Sequence, residues 1–264
     1  MSITLVQGLG LTIMAMIVGI DFWLEALFIF RPIIVGTLAG MILGNVTLGM
    51  LCGGITELAF AGLTPAGGTQ PPNPVLAAIM AVVIAYTTGA EASSAMAMAL
   101  PFSFLMQYII LFTYSAFSLF MPRAEKAAKA AEPRTIGAIS ALCTGIVALL
   151  YGIIVFLCAY VAQEPMKMLV ESMPDWLTHG LEVAGGLLPA IGFAMLMRTM
   201  LSGEYMPYLL IGFVAACFID FSNILPVAVI GTALALITYY RDKKEAEQQA
   251  RINVNIEEDF EDGI

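Results

Sequence analysis

Charge is what this chain has least of. Of its 264 residues only 12% are charged, 60% are hydrophobic, and the mean hydropathy is +0.90. Soluble domains carry roughly a quarter charged residues. A soluble chain of this composition would lack the polar surface to cover its apolar side chains. A bilayer removes that difficulty, because lipid is itself the apolar partner. Histidine is scarcer still, with His179 alone. No P-loop, metal-ligand cluster or serine–histidine–acid set can be assembled from the sequence, so no cofactor is expected and nothing in the chain supplies energy for chemistry. No basic patch interleaved with aromatics is present either, which argues against nucleic-acid binding. Cys52, Cys143, Cys158 and Cys217 each sit inside an apolar run without a CxxC spacing, and read as small buried residues. No basic n-region precedes the first apolar run at Ile3, so a cleaved signal peptide is not expected.

What is present is a series of apolar runs. They cover residues 3–20, 22–44, 46–63, 75–88, 92–121, 136–162, 181–201, 205–220 and 222–240. A spanning helix needs about 20 apolar residues. The later runs fit that length better than the earlier ones, which are short or interrupted: the second by Glu25, Arg31 and Pro32, the third by Thr56 and Glu57. Non-helical backbone is tolerated at membrane depth where protein buries it or a cavity hydrates it, and broken helices of this kind build many transporter sites. The expected fold is therefore all-α: a polytopic membrane protein with broken or re-entrant helices in its N-terminal half. Four segments are expected: an N-terminal membrane half with the site (1–121), a hydrophilic loop (122–135), a C-terminal membrane half (136–240) and an acidic tail (241–264), disordered at its end. Within the membrane halves, Gly36, Gly40 and Gly44, then Gly49 and Gly53, follow small-xxx-small spacing, which lets helix backbones approach closely in lipid. Gly53-Gly54 and Gly185-Gly186 both open apolar segments, and Arg31-Pro32 and Met206-Pro207 both precede one. Their reversed order gives no clear sequence repeat.

Charges inside apolar runs carry the functional signal, since each costs at least roughly 2.5–3.5 kcal/mol at the bilayer centre. Glu57 lies in Cys52-Gly-Gly-Ile-Thr-Glu-Leu-Ala-Phe-Ala-Gly62, where two glycines precede a carboxylate in apolar surroundings. It is the leading candidate acceptor for a sugar hydroxyl. The following segment, Thr64 to Pro74, is too rich in proline and glycine for a helix. It supplies Thr64, Thr69, Gln70 and Asn73, neutral donors and acceptors that suit an uncharged polyol, whereas an anion would call for arginine forks. Arg31-Pro32 reads as structural, arginine pairing with Asp21 or Glu25 and proline opening the next helix at its first position. Glu25 stands equally as ligand or ion-pair partner, and Glu91 marks a membrane edge. Arg198 snorkels near the end of its run. His179 follows an amphipathic stretch bearing Trp176, an unsuitable setting for a phosphocarrier.

These residues resemble one known family. Gly53-Gly54-Ile-Thr-Glu57-Leu looks like the signature region of IIC proteins of mannose/fructose/sorbose-type phosphotransferase systems. Phe30-Arg31-Pro32 with Gly40 and Gly44 upstream, and Leu181-Glu-Val-Ala-Gly-Gly186, Met206-Pro207 and Gly212-Phe213 downstream, recur in that family's order. The resemblance covers the whole chain. It implies a sugar-translocating subunit in the bacterial inner membrane that pairs with a IID membrane subunit as a trimer of heterodimers. Soluble IIA and IIB proteins carry the phosphoryl group, IIB phosphorylates the sugar at the inner face, and IIC itself is not phosphorylated. It also implies a sugar site at the glycine–glycine–glutamate element and the loop after it, so that Glu57 carries over. Asn73 stands where mannose transporters tend to have an acidic residue, and Pro65 where they tend to have a polar one. Those departures favour N-acetylgalactosamine or a related amino sugar over mannose. The alternative is an ion-coupled secondary transporter using Asp21, Glu25 or Glu57.

Orientation follows from the bases. Eight of eleven lie in two segments, Arg123, Lys126, Lys129 and Arg134, and Arg241, Lys243, Lys244 and Arg251. Both are therefore expected in the cytoplasm. The four runs between them agree in parity. Cysteines introduced at Ala128 and Gln248 should stay unmodified by a membrane-impermeant thiol reagent in intact cells and react once the membrane is opened. Labelling of both from outside would reverse the topology.

Overall fold

The structure, a computed structural model, describes residues 2–63, 71–219 and 225–261. They form eleven α-helices: α1 Leu5–Leu24, α2 Pro32–Leu43, α3 Val46–Phe60, α4 Pro74–Thr88, α5 Ala92–Phe117, α6 Met121–Lys129, α7 Pro133–Phe156, α8 Gln163–Glu171, α9 Asp175–Met200, α10 Met206–Phe218 and α11 Leu225–Glu261. No strand occurs among the described residues, so the all-α expectation holds. Among the described residues, four helical stretches are long and apolar enough to cross a membrane: Leu5–Leu24, Ala92–Lys129, Pro133–Val161 and His179–Met200. α2, with 12 residues, and α3 and α4, with 15 each, are too short. At 1.5 Å per residue they reach about 18 and 22 Å, against a hydrocarbon core of about 30 Å. Between the long helices α1 and α5, the N-terminal half thus contains three short ones, α2, α3 and α4.

Contacts divide the chain into two compact units, Met1–Thr199 and Met200–Ile264. In the first, α4 is the central helix. Every residue from Val75 to Ala85 is 3% exposed or less. α4 packs against α5, α2, α3 and α8, and its sequence is apolar all round, as a helix without a solvent face must be. Gly89, at φ 78°, turns the chain from α4 toward α5. α2 and α3 form a second antiparallel pair turned at Gly44, with φ 82°. Here the small-xxx-small spacing acts directly. A Cβ on Gly36 would lie 2.6 Å from Gly53 Cα, and one on Gly40 would lie 2.7 Å from Gly49 Cα. The two backbones are in contact, which favours van der Waals packing where lipid offers no hydrophobic gradient. α1 and α7 pair by the same device, with Gly19 against the Tyr151 ring and Gly152 against Met16. Large apolar side chains on the outside, such as Val6, Ile13, Phe112 and Leu149, are exposed as lipid-facing residues are. The second unit holds α10 and α11, joined by a 2.7 Å hydrogen bond between Tyr208 Oη and Thr238 Oγ1. An apolar groove of about 530 Å³ lies between them.

Several expectations are corrected. Thr56 and Glu57 do not break the third run: α3 continues to Phe60, with the buried Thr56 hydroxyl satisfied by donating to Cys52 O at 2.8 Å within the helix. The segment 122–135 is not a plain loop. α6 occupies most of it, carrying Lys126 and Lys129 in its last turn, where cations are favoured. Ala131 at φ 53° then redirects the chain into α7. The tail continues α11 as far as Glu261. Its run of good helix formers after Arg241 explains the extension.

Adjacent glycines offer a test of the α2–α3 contact. A Cβ on Gly53 would fall 2.8 Å from Pro32 O, while one on Gly54 would meet nothing within 4 Å. Gly53→Ala should lower the melting temperature of the purified protein. Gly54→Ala should leave it unchanged or raise it, since alanine is about 1 kcal/mol better than glycine in a helix. A Gly53→Ala protein melting at the parental temperature would show that the backbones are not in contact.

Candidate functional site

Helix starts expose backbone N–H groups that need acceptors. At α2 the acceptor comes from another helix. Pro32 opens α2 and has no N–H, so Ile33 presents the first donor. Ile33 N–H donates to Glu57 Oε2 at 3.3 Å, and Arg31 Nη2 donates to Glu57 Oε1. One carboxylate on α3 therefore caps α2 and pairs with the arginine just before it. The Glu57 side chain is 18% exposed and that of Arg31 50%, so both remain reachable. A carboxylate has about four acceptor positions and a guanidinium five donors; these contacts use two of the former and one of the latter. A hydroxyl both donates and accepts, and this pair offers it an acceptor and donors side by side.

The partner of Arg31 is thus Glu57, in place of the expected Asp21 or Glu25. The reason lies in the backbone between α1 and α2. Asp21 is 4% exposed, and its two oxygens accept from Leu27 N at 2.7 Å and Phe30 N at 3.2 Å. Its carboxylate is spent on a connector that twice enters the left-handed region, at Glu25 (φ 48°) and Phe28 (φ 59°). Glu25 is the C-cap of α1, exposed, with its N–H on Asp21 O, and enters neither pair. Asp21 therefore shapes the connector that delivers Arg31 to Glu57.

Asn73 turns inward. Its side chain is fully buried, and its Oδ1 accepts from Leu76 N at 2.9 Å as the N-cap of α4. Its Nδ2 donates to Tyr151 Oη at 2.6 Å. Its N–H donates to Ser103 O, and its carbonyl accepts from Ser103 Oγ at 2.8 Å. Thr64, Thr69 and Gln70 lie outside the described residues. Glu91 is an exposed residue preceding α5, and Arg198 is exposed in the last turn of α9. His179 is exposed beside Glu182, with Nδ1 3.4 Å from Oε2. Two residues escaped the sequence reading. Tyr151 and Ser103 are polar groups in apolar runs, and a hydroxyl that cannot reach water there was the available signal. The Gly185-Gly186 element and its neighbour Gly192 also acquire a place: Gly192 packs on the Leu58–Ala59 backbone next to Glu57, and Gly185 on Ser93.

Comparison with known proteins agrees with this architecture. Residues 5–237 match the family model described as the PTS system sorbose-specific IIC component. The chain belongs to this family. It is a membrane permease component of a sugar phosphotransferase system, and an integral membrane protein. N-acetylgalactosamine permease IIC component 1 of Escherichia coli (strain K12) is 54% identical over 265 residues, covering 100% of this chain and 99% of that protein. The sorbose-specific EIIC component of Klebsiella pneumoniae is 30% identical, covering 90% of this chain and 89% of the relative. Among solved structures, one titled as a membrane protein superposes with a TM-score of 0.82 at 27% identity, covering 90% of this chain and 97% of the other. The mannose transporter ManYZ in complex with microcin E492 gives 0.58 at 28% identity, covering 91% and 97%.

Proposed function

We propose that this IIC chain conducts N-acetylgalactosamine or a closely related amino sugar across the bacterial inner membrane, and that Glu57 with Arg31 forms the polar centre of its sugar site. The observation that carries the substrate is the 54% identity to an N-acetylgalactosamine permease, over 100% of this chain, against 30% to a sorbose relative. The site reading is supported by the geometry: a reachable carboxylate with open acceptor positions, paired with a guanidinium, at a junction of half-length helices. Such a pair is neutral as a whole and suits an uncharged, hydroxyl-rich solute. Thr64, Thr69 and Gln70 are the neutral groups that the sequence adds near it. Glu25, exposed on the α1–α2 connector, is a further candidate contact. The ManYZ neighbour supports pairing with a IID-type membrane subunit, and the family supports a trimer of heterodimers served by soluble IIA and IIB. Uptake is then driven by phosphoenolpyruvate and not by an ion gradient.

Two experiments test this reading. Sugar uptake should require IIB and phosphoenolpyruvate, and His179→Ala should leave phosphotransfer intact, since His179 has no phosphocarrier duty. A folded, assembled His179→Ala complex without phosphotransfer would overturn that assignment. Glu57→Gln keeps the shape but weakens the acceptor and adds a donor that faces Arg31 or Ile33 N–H. Hydrogen bonds to charged groups contribute about 1.5–3 kcal/mol, so affinity for N-acetylgalactosamine should fall on the order of ten- to a hundredfold. Isothermal titration on the complex, with assembly checked by size exclusion, measures it. Parental affinity in an assembled Glu57→Gln complex would move the site elsewhere, with Glu25 the next residue to test.

A further inference from the structure

Asn73 is the one sequence-predicted sugar ligand that the described structure buries completely. Its Oδ1, Nδ2, N–H and carbonyl all have protein partners. The amide orientation is decided by its neighbours: the atom facing Leu76 N–H must be the oxygen, so the nitrogen faces Tyr151. Tyr151 is therefore the acceptor in this bond. It is itself 0% exposed and pinned: a Cβ on Gly19 would lie 2.6 Å from its ring, and the Phe22 ring of α1 lies tilted beside it at 6.4 Å between centroids. Ser103, two residues past Pro101 in α5, closes the knot through both backbone groups of Asn73. Four helices, α1, α4, α5 and α7, meet at this polar cluster.

We infer that Asn73 is a positioning residue for the sugar site and acts through Tyr151, their hydrogen bond holding the first turn of α4 and, through α4, the α2–α3 pair that presents Arg31 and Glu57. α4 packs directly on both α2 and α3, and close-packed interiors transmit small displacements instead of absorbing them. A shift of its first turn reaches the helices that carry the ion pair. Tyr151 is thereby assigned a function in sugar binding without touching sugar. The inference rests on the proposed site at Glu57.

Two conservative variants isolate the bond. Asn73→Ser keeps a helix-capping oxygen for Leu76 N–H but is too short to reach Tyr151. Tyr151→Phe keeps the ring and removes the acceptor. Each should weaken N-acetylgalactosamine binding to the assembled complex about three- to tenfold, the range for loss of one hydrogen bond. The double variant should lose no more than the weaker-binding single one, because both remove the same bond. Titration of the folded, size-selected complex reports this, with Glu57→Gln alongside. If Asn73→Ser weakens binding while Tyr151→Phe does not, Asn73 touches the sugar and the inference fails. Parental affinity in both single variants, even with a lowered melting temperature, makes the knot a stability element only and fails it too, as do additive losses. Parental affinity in Glu57→Gln overturns the site reading itself, whatever the other variants show.

Discussion

Half-length helices end inside the protein, and every backbone group at those ends must find its partner there. That constraint organises the N-terminal unit. α2 begins on the Glu57 carboxylate, α3 on the Asn45 side chain, and α4 on Asn73. The connector into α2 hangs from Asp21. An unmet donor in such a place costs about 1–3 kcal/mol, comparable to the loss of a large buried side chain. These four polar residues are therefore the points where short helices are made possible, and the proposed site takes one of them, Glu57.

Small residues provide the second condition. Polar ends can be capped by a neighbouring helix only if that helix is near, and the α2–α3 pair is near because Gly36, Gly40, Gly49 and Gly53 leave no side chains between the backbones. With a methyl group at any of them the pair would part by the width of that group, and Glu57 would lose its reach to Ile33. α9 approaches the other side of α3 through Gly192. Packing and polar capping are in this way one arrangement, with glycine spacing setting the distance over which the carboxylate acts.

Much of this was legible in the chain alone. Apolar runs of the wrong length announced broken helices, and Pro32 announced the start of α2. Glu57 and Arg31 were visible because charges in apolar surroundings are costly. Their pairing was not, since sequence separation says nothing about which of three carboxylates a guanidinium meets. Asp21 lies nearer in sequence, yet local backbone donors had already claimed it. The surroundings of Asn73 were hidden for a related reason. It caps α4 through Leu76 N–H, and its other side-chain partner, Tyr151, lies 78 residues away. The α6 helix was hidden because its charges make a helix and a loop look alike by hydropathy.

Under the proposed function, Glu57 carries a structural and a binding duty on one side chain. Were it purely a cap for α2, a neutral residue such as asparagine would serve, as Asn73 and Asn45 do for α4 and α3. A carboxylate there instead needs a cation, and Arg31 supplies it at the adjacent position in the chain. The pair leaves open acceptor positions on one partner and open donors on the other, and the Arg31 side chain is half exposed. A helix cap alone has no use for that surplus. A hydroxylated solute does, because each hydroxyl leaving water needs both an acceptor and a donor. The excess of hydrogen-bonding capacity over what the fold consumes is what separates Glu57 and Arg31 from Asp21, whose two oxygens are both engaged by the backbone, and from Asn73, whose polar groups are all met within the protein.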